Sequence, residues 1–483
     1  MQSTDTYDPY ELEGPAPNPG WIRRHAGHIA LAVGAASVLI FSGIVVLYSE
    51  SSALATIYPI ACLTCIGLLY CCRRDVFSPV GSGTLWYSLS FLLPIPFHVS
   101  PSAMDESALS HSGLALSVGL SLVGLLCYAL GSVCGADAIF RPIFRWVTST
   151  KAPLRPSSHR QFILMVAWVI MAGAIRYGLR LESTGGEGAD APARVAGVLA
   201  YTLKGGTLLL IGLFFYRARR GAIMMIEGFI LVSGYAVVQM LMGWKSALLE
   251  PLVMFIVVLW YQQTLSHRRR SLLWILIPLM LVPTSMSVGH AYRARIIEGT
   301  KSEYAASARE FALKIVSRVD GNYRFVAVLG HEMEGRGLSF TNDFKMFSLM
   351  STGITTVSYA DWYVFKHPVV GAATSSGASG PGGAYIGMGL LGIVLGYLLI
   401  GAIVKALFSV MTSLPDPSLA VALYGITVIN LDALFAENFL LSLLAKHYFL
   451  YAIVLIVAKT LLVSRSQEEQ FSAPDALVPE ATG

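Results

Sequence analysis

Twelve apolar runs, each about as long as a bilayer core is thick, dominate the 483-residue chain. They lie near residues 28–48, 53–71, 82–99, 112–134, 161–179, 195–216, 222–242, 247–265, 271–289, 383–405, 417–436 and 447–464. A helix needs about 20 apolar residues to cross the hydrocarbon. Lipid offers no partner to backbone N–H and C=O groups, so a crossing segment must satisfy its own. The expectation is therefore all-α: a polytopic transmembrane helical bundle of about twelve spans. Composition agrees, with 13% charged and 55% hydrophobic residues and a mean hydropathy of +0.62. A soluble domain carries nearer a quarter charged residues. The third run is the weakest, because it is short and Pro94 and Pro96 disturb its outer end. The first run reads as a span, not as a cleaved signal peptide.

Basic residues orient the bundle. Arg23 and Arg24 precede the first run, and Arg73 and Arg74 follow the second. Arg141, Arg145, Lys151, Arg155 and Arg160 follow the fourth; Arg217, Arg219 and Arg220 follow the sixth; Arg268, Arg269 and Arg270 follow the eighth. Lys405 ends the tenth and Arg465 the twelfth. With both termini inside, all seven sites fall in the cytoplasm, as basic loops do. These anchors account for most of the net charge of +5, so no nucleic-acid partner is needed. The division that follows is a disordered cytoplasmic N-terminus at 1–27, spans one to nine at 28–289, an outer loop at 290–382, spans ten to twelve at 383–464, and a disordered cytoplasmic C-terminus at 465–483.

The outer loop departs from the positive-inside pattern. It carries Arg293, Arg295, Arg309, Arg318, Arg324 and Arg336, with His331 near its middle. An arginine-rich loop on the outer face points to the binding of an anion. Residues 302–330 have helical periodicity through Tyr304, Ala308, Phe311, Ile315, Val319 and Tyr323. Gly321 weakens the middle of that helix, and Gly330 can end it. Asp320, Arg324 and His331 share roughly one side. Such a helix would lie against the bilayer surface or the helix bundle. Trp362, Tyr359 and Tyr363 suit either a membrane interface or stacking on sugar rings.

After the loop, the stretch 374–392 is a Gly/Ser run entering a Gly-dense helix. Gly383, Gly387, Gly392 and Gly396 form two small-xxx-small pairs, which would let span ten pack closely on a neighbour. Arg176, Arg180, Lys204, Lys245, Glu250, Asp432, Glu437 and Lys446 lie in or near the outer halves of spans. They either snorkel and pair, or line a polar cavity open to the outer leaflet. In the second case Arg176, Arg180 and Lys245 would join the loop arginines in a cationic pocket. The six cysteines lie within or beside spans and none lies in the outer loop, so no structural disulfide is expected.

With about a dozen spans and one dominant late outer loop, the chain resembles the Wzy-type polysaccharide repeat-unit polymerases of the O-antigen polymerase and ligase superfamily. HAYRAR at 290–295 and SRVDGNYR at 317–324 are similar to the arginine clusters of that loop. GGAYIGMGLLGIVLGYLLIG at 382–401 is similar to the family's Gly-, Tyr- and Gly-Gly-spaced entry into a helix. One departure is Ala384 before Tyr385, where many members carry an acidic residue.

The resemblance implies an integral-membrane glycosyltransferase of the bacterial inner membrane. It would transfer a glycan from undecaprenyl diphosphate to a lipid-linked repeat unit at the outer face. Donor and acceptor are both lipid-linked oligosaccharides, and membrane lipids and a chain-length regulator are further implied partners. No cofactor, nucleotide or metal is implied, because arginines supply the charge. Arg293, Arg295, Arg318 and Arg324, with Arg176, Arg180 and Lys245, would bind the diphosphate. His331 would act as general base, with Glu332 and Glu334 as alternatives; as an ordinary loop histidine, His331 would simply be solvated. A ligase of the same superfamily uses the same donor chemistry, and a secondary transporter or flippase also fits twelve spans.

Overall fold

The structure is a computed structural model. It describes residues 36–72, 75–99, 109–134, 205–216, 230–235, 249–261, 320–330, 379–412 and 417–431, with isolated positions in 166–174 and 226–227. Among these residues there are helices and no strands. They are α1 (Ala36–Tyr48), α2 (Ser52–Cys71), α3 (Pro79–Tyr87), α4 (Ile95–Val99), α5 (His111–Cys134), α6 (Gly205–Tyr216), α7 (Leu249–Tyr261), α8 (Gly321–Gly330), α9 (Gly380–Thr412) and α10 (Pro417–Asn430). Among the described residues, three stretches are long and apolar enough to cross a membrane: Ser52–Cys71, His111–Cys134 and Met388–Ser409. They fall on the runs expected at 53–71, 112–134 and 383–405. Little of the runs near 161–179 and 222–242, and none of those near 271–289 and 447–464, lies within the described residues.

Local sequence sets the helix ends. Ser51 caps α2, its hydroxyl accepting from the Leu54 N–H at 3.4 Å. Ser78 caps α3 in the same way through Gly81, with Pro79 at the first helical position. The third apolar run is not one straight helix. After α3 comes a π-turn at Ser88–Leu92, where the Leu93 N–H reaches back to the Ser88 carbonyl at 2.9 Å. Two residues of turn follow, and then α4. Proline has no N–H, so Pro94 and Pro96 leave the carbonyls of Ser90 and Leu92 without their usual intrahelical donors. The Tyr58 hydroxyl on α2 donates to the Leu92 carbonyl instead, at 3.3 Å. The Pro94 carbonyl opens α4 by accepting from Phe97 and His98.

Among the described residues, α5 and α9 form the most extensively packed helix pair. Ser117, Gly124 and Gly131 recur every seven residues along α5 and make a narrow stripe. Gly124 meets Ile393 and Tyr397, and Gly131 meets the Leu398 carbonyl. Gly401 on α9 meets the Tyr128 carbonyl, and the Ser132 hydroxyl donates to the Gly401 carbonyl at 3.2 Å. Close packing of span ten was expected from Gly383, Gly387, Gly392 and Gly396. The structure shows close contacts between α5 and α9 at Gly124, Gly131 and Gly401. Gly392 instead fits against the Ala384 carbonyl of its own helix. That contact exists because α9 is broken at Met388 (φ −142°, ψ 23°) and Gly389 (φ 60°, ψ −145°). A side chain is strained at the Gly389 φ, by about 1–3 kcal/mol.

Two cores result. The larger gathers α1 to α5, α8 and α9 around Tyr58, Tyr87, Phe91, Leu114, Phe325, Ile393 and Tyr397. The smaller gathers α6, α7 and α10 around Met254, Val257, Ala422 and Leu423. Trp86 Nε1 donates to the Val428 carbonyl at 2.7 Å and ties them together.

Hydrogen bonds also tie the helix ends to one another. At one end the Glu50 N–H, between α1 and α2, donates to His111 Nδ1 at the start of α5, at 2.9 Å. At the other end Asp75, between α2 and α3, accepts from Trp260 Nε1 at 3.2 Å and from the Tyr261 hydroxyl at 3.0 Å. Tyr128 donates there to the Pro79 carbonyl at 2.9 Å.

Candidate functional site

The site lies at the Glu50–His111 end, where α4 and the start of α8 meet. Residues 302–330 were expected to form one helix weakened at Gly321. Asp320 is instead non-helical, and α8 begins at Gly321. Asp320 Oδ1 accepts from the backbone N–H of Asn322 at 2.9 Å and of Tyr323 at 3.3 Å. It is the N-cap of α8, and its charge suits the positive end of a helix. Gly330 is the last helical residue, as its type suggested.

The other carboxylate oxygen is also taken. His98 Nε2–H donates to Asp320 Oδ2 at 2.6 Å, and the two side chains are only 2% and 3% exposed. A carboxylate only accepts, which assigns the hydrogen to Nε2. The opposite ring nitrogen, Nδ1, is buried with no hydrogen-bond partner among the described residues. Removing one member of a buried pair strands the other, at a cost of about 3–5 kcal/mol.

Asn322 extends the network. Its Nδ2 donates to the Phe91 carbonyl at 2.9 Å, and its Oδ1 accepts from the Ser117 hydroxyl at 3.0 Å. The π-turn thus supplies an acceptor carbonyl, α4 supplies His98, and the small-residue stripe of α5 supplies Ser117. Ser90 Oγ, in the same π-turn, is buried without a partner among the described residues.

Below this polar layer, α8 packs by its apolar face. Phe325 and Val328 are fully buried. The Phe325 ring meets Tyr385 edge-on, with centroids 6.0 Å apart. Gly382 lies against Phe325 and Val328, and Gly113 against Val326. The loop helix is therefore docked on the bundle and on the glycine-rich segment of α9. Buried Ser379, at φ 64°, caps that segment through the Gly382 N–H at 3.2 Å.

Of the residues singled out from sequence, Arg324 is half-buried on the second turn of α8. Arg293, Arg295, Arg318, Arg176, Arg180, Lys245, His331, Glu332 and Glu334 lie outside the described residues. Among the charges placed in spans, Glu250 accepts from the Tyr235 hydroxyl at 2.6 Å. The six cysteines are free thiols. His98 was not singled out. Its signals were a histidine closing a proline-broken apolar run and, far along the chain, an Asp-Gly-Asn with capping chemistry. Only their approach across 222 positions joins the two.

Compared with known proteins, the chain matches no family model, no curated protein and no solved structure.

Proposed function

We propose that this protein is an integral-membrane glycosyltransferase that polymerises oligosaccharide repeat units carried on a lipid diphosphate, at the outer face of the bacterial inner membrane. One observation carries the reading. Helix α8, which opens with the GNYR of SRVDGNYR, and the segment GGAYIG, far apart in sequence, meet through Phe325 and Tyr385. They meet at the end of the bundle that the basic residues assign to the outside. An arginine-bearing helix held on a rigid apolar platform is what a membrane-surface diphosphate site requires.

In this reading the donor sugar's C1–O bond to the diphosphate breaks, and C1 bonds to an acceptor hydroxyl. The bonding electrons leave with the lipid diphosphate. Arg318 and Arg324, with Arg293, Arg295, Arg176, Arg180 and Lys245, bind that diphosphate and stabilise its growing charge. His331, Glu332 or Glu334 takes the acceptor proton. No nucleotide is needed, because the leaving group is already activated.

Purified protein in proteoliposomes, given a lipid-diphosphate-linked repeat unit, should release lipid diphosphate and form a ladder of longer glycans. A deletion strain should accumulate single lipid-linked repeat units. Transfer to a lipid acceptor without lengthening would make the protein a ligase. A second reading, a secondary transporter or flippase, draws on the break in α9 at Met388–Gly389, since interrupted helices line many transport pathways. Movement of the lipid-linked unit across the vesicle with no new glycosidic bond would favour it.

A further inference from the structure

The His98–Asp320 pair is a buried, fully directional link between a bundle helix and the first turn of the arginine-bearing loop helix. Its placement is specific. Asp320 stands four positions before Arg324, so the link sits one helical turn from that arginine. Apolar contacts through Phe325 and Val328 already bury the helix. Such contacts are non-directional and leave rotation and register soft. Hydrogen bonds fix both. Asp320 Oδ1 holds the Asn322 and Tyr323 amides, Oδ2 holds His98, and Asn322 is itself pinned to Phe91 and Ser117. A buried pair of this kind rarely stabilises a fold more than apolar side chains of similar size would. What it adds is one fixed geometry.

We propose that His98 and Asp320 are positioning residues that hold Arg324 in register on the leaving diphosphate. The assignment rests on the polymerase reading given above. His98 contributes through a single N–H, at Nε2, since Nδ1 meets no partner among the described residues. One donor of the right reach should therefore replace it. A group that positions charge for the transition state acts on kcat more than on KM, and a misplacement of about 1 Å can cost about a hundredfold in rate.

The test uses the full-length protein in proteoliposomes with a lipid-diphosphate-linked oligosaccharide, together with amide exchange at Asn322 and Tyr323. His98→Leu should speed exchange at both amides and lower kcat roughly 10–100-fold, with KM changed less than about threefold. His98→Gln, which keeps one N–H donor, should restore slow exchange and bring kcat to within about threefold of wild type. If His98→Leu fails to insert, Asp320→Asn replaces it; the variant keeps the cap oxygen on α8 but exchanges the charged acceptor for an amide, and kcat should again fall with KM held. Faster exchange with unchanged kcat would overturn the positioning role. Slow exchange in His98→Gln with kcat as low as in His98→Leu would overturn it too, because the ring would then be needed for more than one N–H. If wild type forms no glycosidic bond from this donor, the polymerase reading falls and takes the positioning role with it, while exchange still reports the anchor.

Discussion

Gly131 of α5 lies so close to the carbonyl of Leu398 on α9 that a Cβ at this position would overlap it. Gly401 of α9 stands in the same relation to the Tyr128 carbonyl of α5. The two glycines make the contact reciprocal, and Ser132 adds a hydrogen bond across it. In lipid there is no hydrophobic gain from bringing two apolar helices together, so such close packing carries the association.

Gly131→Ala and Gly401→Ala should each destabilise the protein by about 1–3 kcal/mol, because backbone cannot move aside as a flexible side chain can. Gly43→Ala, where nothing lies within 4 Å, should be close to neutral. Thermal unfolding in one detergent, with the three variants side by side, measures the difference. Equal midpoints for Gly131→Ala and Gly43→Ala would reject the close contact.

Asp75 predicts a pH effect at the opposite end. Burial pushes its carboxyl above the usual range, and the hydrogen bonds from Tyr261 and Trp260 offset part of that rise. The folded state therefore holds this proton more tightly than the unfolded state does. Its contribution to stability is largest below the ordinary carboxylate value and is lost as pH rises through the raised one. Asp75→Asn should remove that slope, so variant and wild type should diverge as pH rises across this window. Parallel melting curves over the whole window would contradict the assignment.

Arg318→Ala and Arg324→Ala should abolish polymer while leaving insertion intact. A charge-assisted bond to a desolvated diphosphate is worth more than about 1.5 kcal/mol, and more where charge develops in the transition state. Lysine should rescue only in part, since it lacks the planar fork. Polymer yield per inserted protein is the measurement, and full yield from both alanine variants rejects these two arginines.

His331→Gln should lose roughly 10²–10⁴-fold in transfer if His331 is the general base. Residual transfer should remain from the arginines. The wild-type rate should also fall on the acid side, near an ordinary histidine value of about 6.5. Rates measured between pH 5 and 8 decide it, and coincidence of the two profiles would move the proton acceptor to Glu332 or Glu334.

The helical class was legible in the residues because it depends on local facts. A run of about 20 apolar residues must hydrogen-bond to itself in lipid. Pro94 and Pro96 must disturb their helix, since the missing N–H is a property of each residue. Capping by Ser51 and Ser78 is equally local. Even the seven-residue stripe of Ser117, Gly124 and Gly131 is a local pattern, although the glycines of 383–396 are denser.

Which glycine meets which carbonyl depends on the register between two helices, and no short stretch of either contains it. The same holds for the site. His98 ends one apolar run and Asp320 sits in a distant polar loop. Asp320 looked like a position within a periodic helix, because Val319 and Tyr323 keep the apolar spacing on either side. In the fold α8 starts only after Asp320, whose two carboxylate oxygens cap α8 and receive His98 at once. Local pattern determined that these segments are helical. Packing alone decided that a proline-made turn, a small-residue stripe and a loop aspartate would converge, because buried polar groups must find partners wherever the fold brings them.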